Sequence, residues 1–255
     1  MNEDGACDPN WWRAEKALSL DRKKRQAARA TAAKPGDAFL IVTEGTVTEP
    51  VYFDLLLSDL HLSAVLIKVL PGDGTDPKRV ILTAEREAKE QLRRSRKGLL
   101  GLNEPAKFDH VWAVVDTDVA AREHNWNDVK QLADARKVKL AHSTPSFEFW
   151  LLLHFGLTTR ADLVDGTAAK HAVKDAFKAN HDLDYSTDKP TAKKAIAAIV
   201  SKWQEAIVYA EKVRHYHKAA QTPAPANPST EVDRLARALN DSAVQHYRKV
   251  PPPTA

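Results

Sequence analysis

Four acidic residues, Glu44, Glu49, Asp116 and Asp118, have the types and spacing of a metal-dependent phosphoryl-transfer site. The first pair lies in Phe39-Leu-Ile-Val-Thr-Glu-Gly-Thr-Val-Thr-Glu-Pro50, and the second ends Val111-Trp-Ala-Val-Val-Asp-Thr-Asp118. Each pair follows directly on an apolar run. A buried strand that ends in a carboxylate carries it to the C-terminal edge of the sheet, where open α/β sheets bind their ligands. Carboxylates gathered there repel one another unless a cation neutralises them. Hard oxygen donors of this kind suit Mg²⁺ or Mn²⁺. Alternate residues at an extended strand end point the same way, so Asp116 and Asp118 are placed to share one ion. Glu44 is then a further ligand or the general base on the attacking water. Gly45 beside it permits close backbone approach to a phosphate.

The elements that must position these acids alternate. Ala38–Thr43 reads as a strand and Glu49–Leu60 as a helix with Pro50 in its first turn. Val65–Leu70 is a strand, and Pro71-Gly-Asp-Gly-Thr-Asp-Pro77 is a connecting loop that lacks the Lys-Ser/Thr ending of an ATP-binding P-loop. A helix over Lys78–Lys97 ends at Gly98. Strand Val111–Val115, a helix near Asn127–Arg136 and a short strand Val138–His142 complete the alternation. This order predicts an α/β fold with a mainly parallel sheet flanked by helices. Phe147–Phe155 reads as a helix packed on the sheet, and its aromatics as core. Residues 166–220 read as two or three helices without a strand, and Ser229 as the cap of a last helix, Thr230–Tyr247.

The predicted organisation is a basic leader over 1–37, an α/β core over 38–160, a helical insertion over 161–222, and a C-terminal helix with a Pro-rich tail over 223–255. The insertion is the expected seat of substrate choice or partner docking, separable from metal binding. The run Arg93, Arg94, Arg96, Lys97 closes a helix, where cations suit the dipole. It is either a solvated helix end or a nucleic-acid contact.

Composition narrows the classes. The 255 residues are 43% hydrophobic and 28% charged, with a formal net charge of +4, values of a globular protein that tolerates a polyanionic partner. One cysteine, Cys7, rules out a disulfide framework and a Cys-rich zinc site. No apolar run nears the ~20 residues of a membrane span. The N-terminal residues lack a signal-peptide pattern, so a cytoplasmic location is expected. His215 and His217 do not share a helical face, which argues against zinc there.

The segments Val42-Thr-Glu-Gly-Thr-Val-Thr-Glu-Pro-Val-Tyr-Phe53, Val114-Val-Asp-Thr-Asp118, Ser143-Thr-Pro-Ser-Phe-Glu-Phe-Trp-Leu-Leu-Leu-His-Phe155 and Asn227-Pro-Ser-Thr-Glu-Val-Asp-Arg-Leu235 together resemble the RloB-like proteins. The resemblance runs from about residue 38 to 245 with the four blocks in order. It implies a TOPRIM-like fold related to the overcoming-lysogenization-defect (OLD) nucleases, Mg²⁺, and nucleic-acid cleavage in bacterial phage defence. An AAA or ABC-type ATPase encoded nearby is the partner it implies. On this resemblance the metal set is Glu44, Glu49, Asp116, Asp118 and Glu148, with Glu49 and Glu148 forming a second metal position. For Glu148, inside an aromatic helix, a salt bridge is the rival role. The family pattern Asp-Arg-Asp reads Asp-Thr-Asp here, so Thr117 replaces a basic residue.

Two functions of different class follow. One is a Mg²⁺-dependent TOPRIM-type nuclease acting on DNA or RNA as a defence effector. The other is a non-catalytic nucleic-acid-binding or regulatory subunit of an ATPase-containing complex. Phosphoryl transfer on transfer RNA or a nucleotide signal is a third possibility.

Overall fold

The central strands are built from the apolar runs, and their alternation decides which side of the sheet each acid faces. The computed structural model describes residues 37–62, 67–74, 76–101, 104–117 and 125–249. Asp118, the leader up to residue 36 and the tail from residue 250 lie outside the described residues. The described strands are β1 (Phe39–Thr43), β2 (Ile67–Pro71), β3 (His110–Asp116), β4 (Lys139–Thr144) and β5 (Ser229–Thr230). They form one sheet in the order β2-β1-β3-β4-β5, parallel except for the antiparallel β4–β5 pair. Every residue of β1 is buried, as expected of a strand covered on both faces. β2 is an edge strand, more exposed and closed by Pro71, a residue that edges tolerate.

Eight α-helices are described: α1 (Thr48–Asp59), α2 (Pro77–Arg96), α3 (Trp126–Arg136), α4 (Glu148–Leu152), α5 (Gly166–His181), α6 (Lys189–Ala197), α7 (Trp203–Ala219) and α8 (Val232–Lys249). Phe39, Ile41, Trp112 and Val114 point into a core shared with α1 and α4 to α8. Leu40, Val42, Ala113 and Val115 point into a smaller core closed by α2 and α3. The α/β class with a mainly parallel sheet is as the element order predicts. Local signals account for the helix ends. Asp76 accepts the Lys78 amide ahead of Pro77, and Gly98 at φ +68° ends α2.

Three expectations need correction. Ser229 does not cap the last helix: it enters β5, and its hydroxyl donates to the Ala226 carbonyl. Thr230 Oγ1, one residue nearer the helix, instead accepts the Val232 amide. The helices from Glu148 to Ala219 lie between β4 and β5 along the chain. The helix after β4 is short, Glu148–Leu152, and past its end Phe155 sits edge-on to Phe177 at 5.0 Å. The insertion is also not separable, since Val173, Phe177, Ile196, Ile199 and Trp203 sit in the same core as Phe39 and Ile41. Removing it would uncover that core.

Candidate active site at the carboxylate edge of the sheet

Asp116 is the last residue of β3 and lies two positions after Val114, so it faces the α1/α4 side of the sheet. β1 runs parallel beside β3 with Thr43 opposite Val114. One residue on, the Glu44 amide donates to the Val114 carbonyl at 2.9 Å. The Glu44 side chain then reaches across the strand ends, and its Oε2 accepts the Asp116 amide at 3.0 Å. The two sequence-predicted acids are thus fastened together through the backbone.

Glu49 enters from the first turn of α1. Its Oε1 accepts the Gly45 amide at 2.9 Å. A Cβ on residue 45 would lie 2.1 Å from Glu49 Oε2. The close approach that glycine allows at this position is taken by the protein's own carboxylate rather than left open for a phosphate. Glu148 begins α4 and receives the Ser146 hydroxyl on Oε2 at 2.7 Å and the Tyr185 hydroxyl on Oε1 at 3.3 Å. The Phe147 amide, one residue earlier, donates to Asp116 Oδ1 at 2.8 Å. The salt-bridge alternative for Glu148 is not what these contacts show: two hydroxyls hold it.

The electrostatics are those of crowded acids. Burial pushes Asp116 well above the usual carboxylate range, and the charges of Glu44, Glu49 and Glu148 push it further. Burial lifts Glu49 from 4.5 to about 7, reinforced by Glu148. Among the described residues, the charges acting on Asp116 are all carboxylates. Such a cluster is stable either when it shares protons or when a cation joins it. Its hard oxygen donors fit Mg²⁺ or Mn²⁺ in chemistry. Among the described residues, no three His, Cys, Asp or Glu side chains are spaced to hold an ion as they stand. Asp118, the remaining expected ligand, lies outside the described residues.

Other candidates separate from this edge. Thr117, where the family pattern has a basic residue, is fully buried, and its Oγ1 bonds Thr144 Oγ1 at 2.6 Å. It braces β3 against β4 and does not face a ligand. Arg93, Arg94, Arg96 and Lys97 end α2, whose start follows β2 at the acid edge. Twenty residues of helix span about 30 Å, so this cluster lies toward the opposite edge. Arg93 is paired with Glu90, and Arg94 with Glu104. Phe147, Phe149 and Trp150 are buried core, as read from sequence.

Sequence reasoning missed Tyr185 and Ser146 as site residues. Ser146 is two residues from Glu148, inside the aromatic block, and was legible in retrospect. Tyr185 lies 37 residues from Glu148 and 137 from Thr48, whose hydroxyl it meets at 3.2 Å, so no spacing could reveal it.

The model of the RloB-like protein family matches residues 39–239, which contain every described element up to the middle of α8. The chain belongs to the RloB-like family. Comparison with curated proteins and with solved structures finds no match. The matched span covers Glu44, Glu49, Asp116 and Asp118 together with Glu148 and Tyr185.

Proposed function

We propose that this RloB-like chain is a metal-dependent nuclease of TOPRIM type that hydrolyses phosphodiesters as an effector of bacterial anti-phage defence. The observation that carries the reading is the gathering of Glu44, Glu49, Asp116 and Glu148 around one strand end, with Asp116 raised by burial and by the other three. Such a cluster is costly to a fold that has no use for it. The defence role, and an AAA or ABC-type ATPase as partner, come from the family resemblance.

Asp116, with Asp118 and Glu44, would hold a divalent Mg²⁺ or Mn²⁺, and Glu49 and Glu148 would stand at a second position. When bound, the ion supplies charge neutralisation and lowers the pKa of a water. The chain's own residues do the positioning. The Phe147 amide fixes one Asp116 oxygen, the Asp116 amide fixes Glu44, and Ser146 with Tyr185 fixes Glu148. Glu49, lifted to about 7 by burial and Glu148, would give up its proton when an ion binds, so ion binding there is coupled to pH near neutrality.

A non-catalytic nucleic-acid-binding or regulatory subunit is the second reading. It is favoured by the engagement of each carboxylate with a backbone amide or hydroxyl, and by the lack of a ready three-residue ion site among the described residues. Cleavage of plasmid, linear duplex, single-stranded DNA and transfer RNA with Mg²⁺ or Mn²⁺ separates the two. Metal-dependent cutting that Asp116→Asn removes supports the nuclease. Binding without cutting under every condition, with the ATPase partner added, supports the regulatory subunit.

A further inference from the structure

A second concave site lies on the other face of the sheet. Along β4, Ala141 points into the α1/α4 core, so His142 points the opposite way, toward α3. There it lines a cavity of about 460 Å³ closed by α3, the last turns of α7, the loop before β5 and the first turn of α8. A volume of that order is in the range of small-molecule sites, roughly 300–1,000 Å³.

The lining is cationic. Lys130 comes from α3, Arg214 and Lys218 from α7, and Arg234 from α8, against the one acid Glu231 on the wall. Arg214 is committed to Asp233 through paired bonds of 2.6 and 2.7 Å, and Arg234 meets Glu231 at 2.8 Å. Among the described residues, neither Lys130 nor Lys218 is ion-paired, and both are exposed. Two cations at the mouth are thus uncommitted, and two more on the wall are held in fixed positions.

His142 supplies an independent sign of a ligand. Its Nδ1 is buried without a hydrogen-bond partner, the Glu231 carboxylate standing off at 3.6 Å. Burial, with Arg234, Arg214 and Lys130 nearby, lowers its pKa to about 4, so the ring is neutral at physiological pH. A neutral imidazole in a cationic cavity can donate one N–H to an oxyanion without adding charge. Trp126 backs the ring at a centroid distance of 4.8 Å and gives the cavity an aromatic wall.

We propose that this cavity binds a small phosphorylated ligand, with the phosphoryl group between Lys130, Lys218 and Arg234 and the remainder against Trp126 and His142. Arginine and lysine side chains converging on a concave polar wall are the usual means of holding a phosphate. The site is separate from the acids: without a divalent ion a carboxylate cluster repels a phosphate, and the two lie on opposite faces of the sheet. The proposal does not depend on the nuclease reading.

The test is isothermal titration calorimetry on the full chain in EDTA, with inorganic phosphate and adenosine 5′-monophosphate as probes. EDTA removes divalent-ion-dependent binding at the acids. Saturable 1:1 binding, weakened at least about tenfold (1.4 kcal/mol) by Lys130→Glu/Lys218→Glu and unchanged by Asp116→Asn, supports the site. Tighter binding of the nucleotide than of phosphate assigns the ligand to a nucleotide. Equal binding assigns it to free phosphate. Absence of saturable binding by either probe, or equal affinity in the charge-reversed variant with an unchanged melting temperature, overturns it. His142→Gln is the second variant, since it keeps a donor in a similar volume and should retain binding that His142→Leu loses.

Discussion

Glu44 Oε2 accepts the backbone amide of Asp116 at 3.0 Å, so the acid that follows β1 is anchored to the residue that ends β3. The bond joins positions 72 residues apart, and only parallel pairing of β1 with β3 brings them within reach. Because the amide is the donor, the bond costs Asp116 none of its own carboxylate oxygens. One of them takes the Phe147 amide. The cluster is therefore pre-positioned by backbone donors, while among the described residues the charges acting on Asp116 are all those of other carboxylates.

Asp116→Asn should separate stability from activity. Asparagine keeps an oxygen for the Phe147 amide and removes a charge that burial and three neighbouring acids disfavour. The expected outcome at pH 8 without metal is a melting temperature equal to or above that of the wild type. Nuclease activity should fall by more than about 100-fold, since loss of even an outer-sphere partner costs 10–100-fold in metal affinity. Mg²⁺ should raise the wild-type melting temperature and leave the variant's unchanged, because only the form that binds the ion is stabilised by it. A variant that melts well below the wild type would make Asp116 a structural residue.

Stability without metal should decline as pH rises from about 4.5 to about 7. Below that window Glu49 is protonated in both folded and unfolded chains. Within it the unfolded chain, at the ordinary 4.5, gives up its proton while the folded chain, at about 7, keeps it. The folded state then binds more protons, and stability falls with pH. The full difference corresponds to about 3 kcal/mol. Above pH 7 Glu49 is ionised in both states and adds no further slope. Asp116 acts in the same direction from a lower starting pH. Urea midpoints measured across this range for wild type and Glu49→Gln should show a shallower decline in the variant, and Mg²⁺ at pH 8 should restore much of the loss.

Gly45→Ala should disturb Glu49 without unfolding the chain. The added methyl would overlap the Glu49 carboxylate, at 2.1 and 2.6 Å from its two oxygens, and that carboxylate is the end of a side chain able to turn away. Displaced toward solvent, Glu49 loses the burial that lifts its pKa. The pH-dependent decline in stability should shrink, as in Glu49→Gln, and activity should drop. A crystal structure of the variant with Glu49 unmoved would defeat this account.

The parallel core was legible because β1 and β3 are continuous apolar runs, each ended by its acid. The pairing of Glu44 with Asp116 could be expected from that alone. β5 was not legible: two residues, Ser229 and Thr230, carry no periodicity, and their pairing with Thr144 and Ser143 is set by tertiary contact. The same two residues look like a helix cap, and one of them, Thr230, does serve as one. The cation cluster at the end of α2 was visible as a run, but sequence does not say that a helix about 30 Å long carries it toward the edge opposite the acids. The cavity around His142 was also hidden, since its cations come from α3, α7 and α8.

Tyr185 ties the inserted helices to the acids. Its hydroxyl meets Glu148 Oε1 at 3.3 Å and Thr48 Oγ1 at 3.2 Å, and the residue is 3% exposed. Burial and the charge of Glu148 raise its pKa, so it stays a neutral donor at any pH the protein tolerates. Tyr185→Phe removes the hydroxyl and leaves the ring stacked on Phe177 at 5.3 Å. The loss of one such bond should cost about 1 kcal/mol of stability. If Tyr185 positions Glu148, activity should fall about tenfold through kcat with KM little changed, and the Mg²⁺ dependence should shift to higher concentration. A purely structural tyrosine would lower the melting temperature by the same amount while the Mg²⁺ dependence stayed where it was. Measuring the rate across a Mg²⁺ series at a temperature well below both melting points distinguishes the two roles.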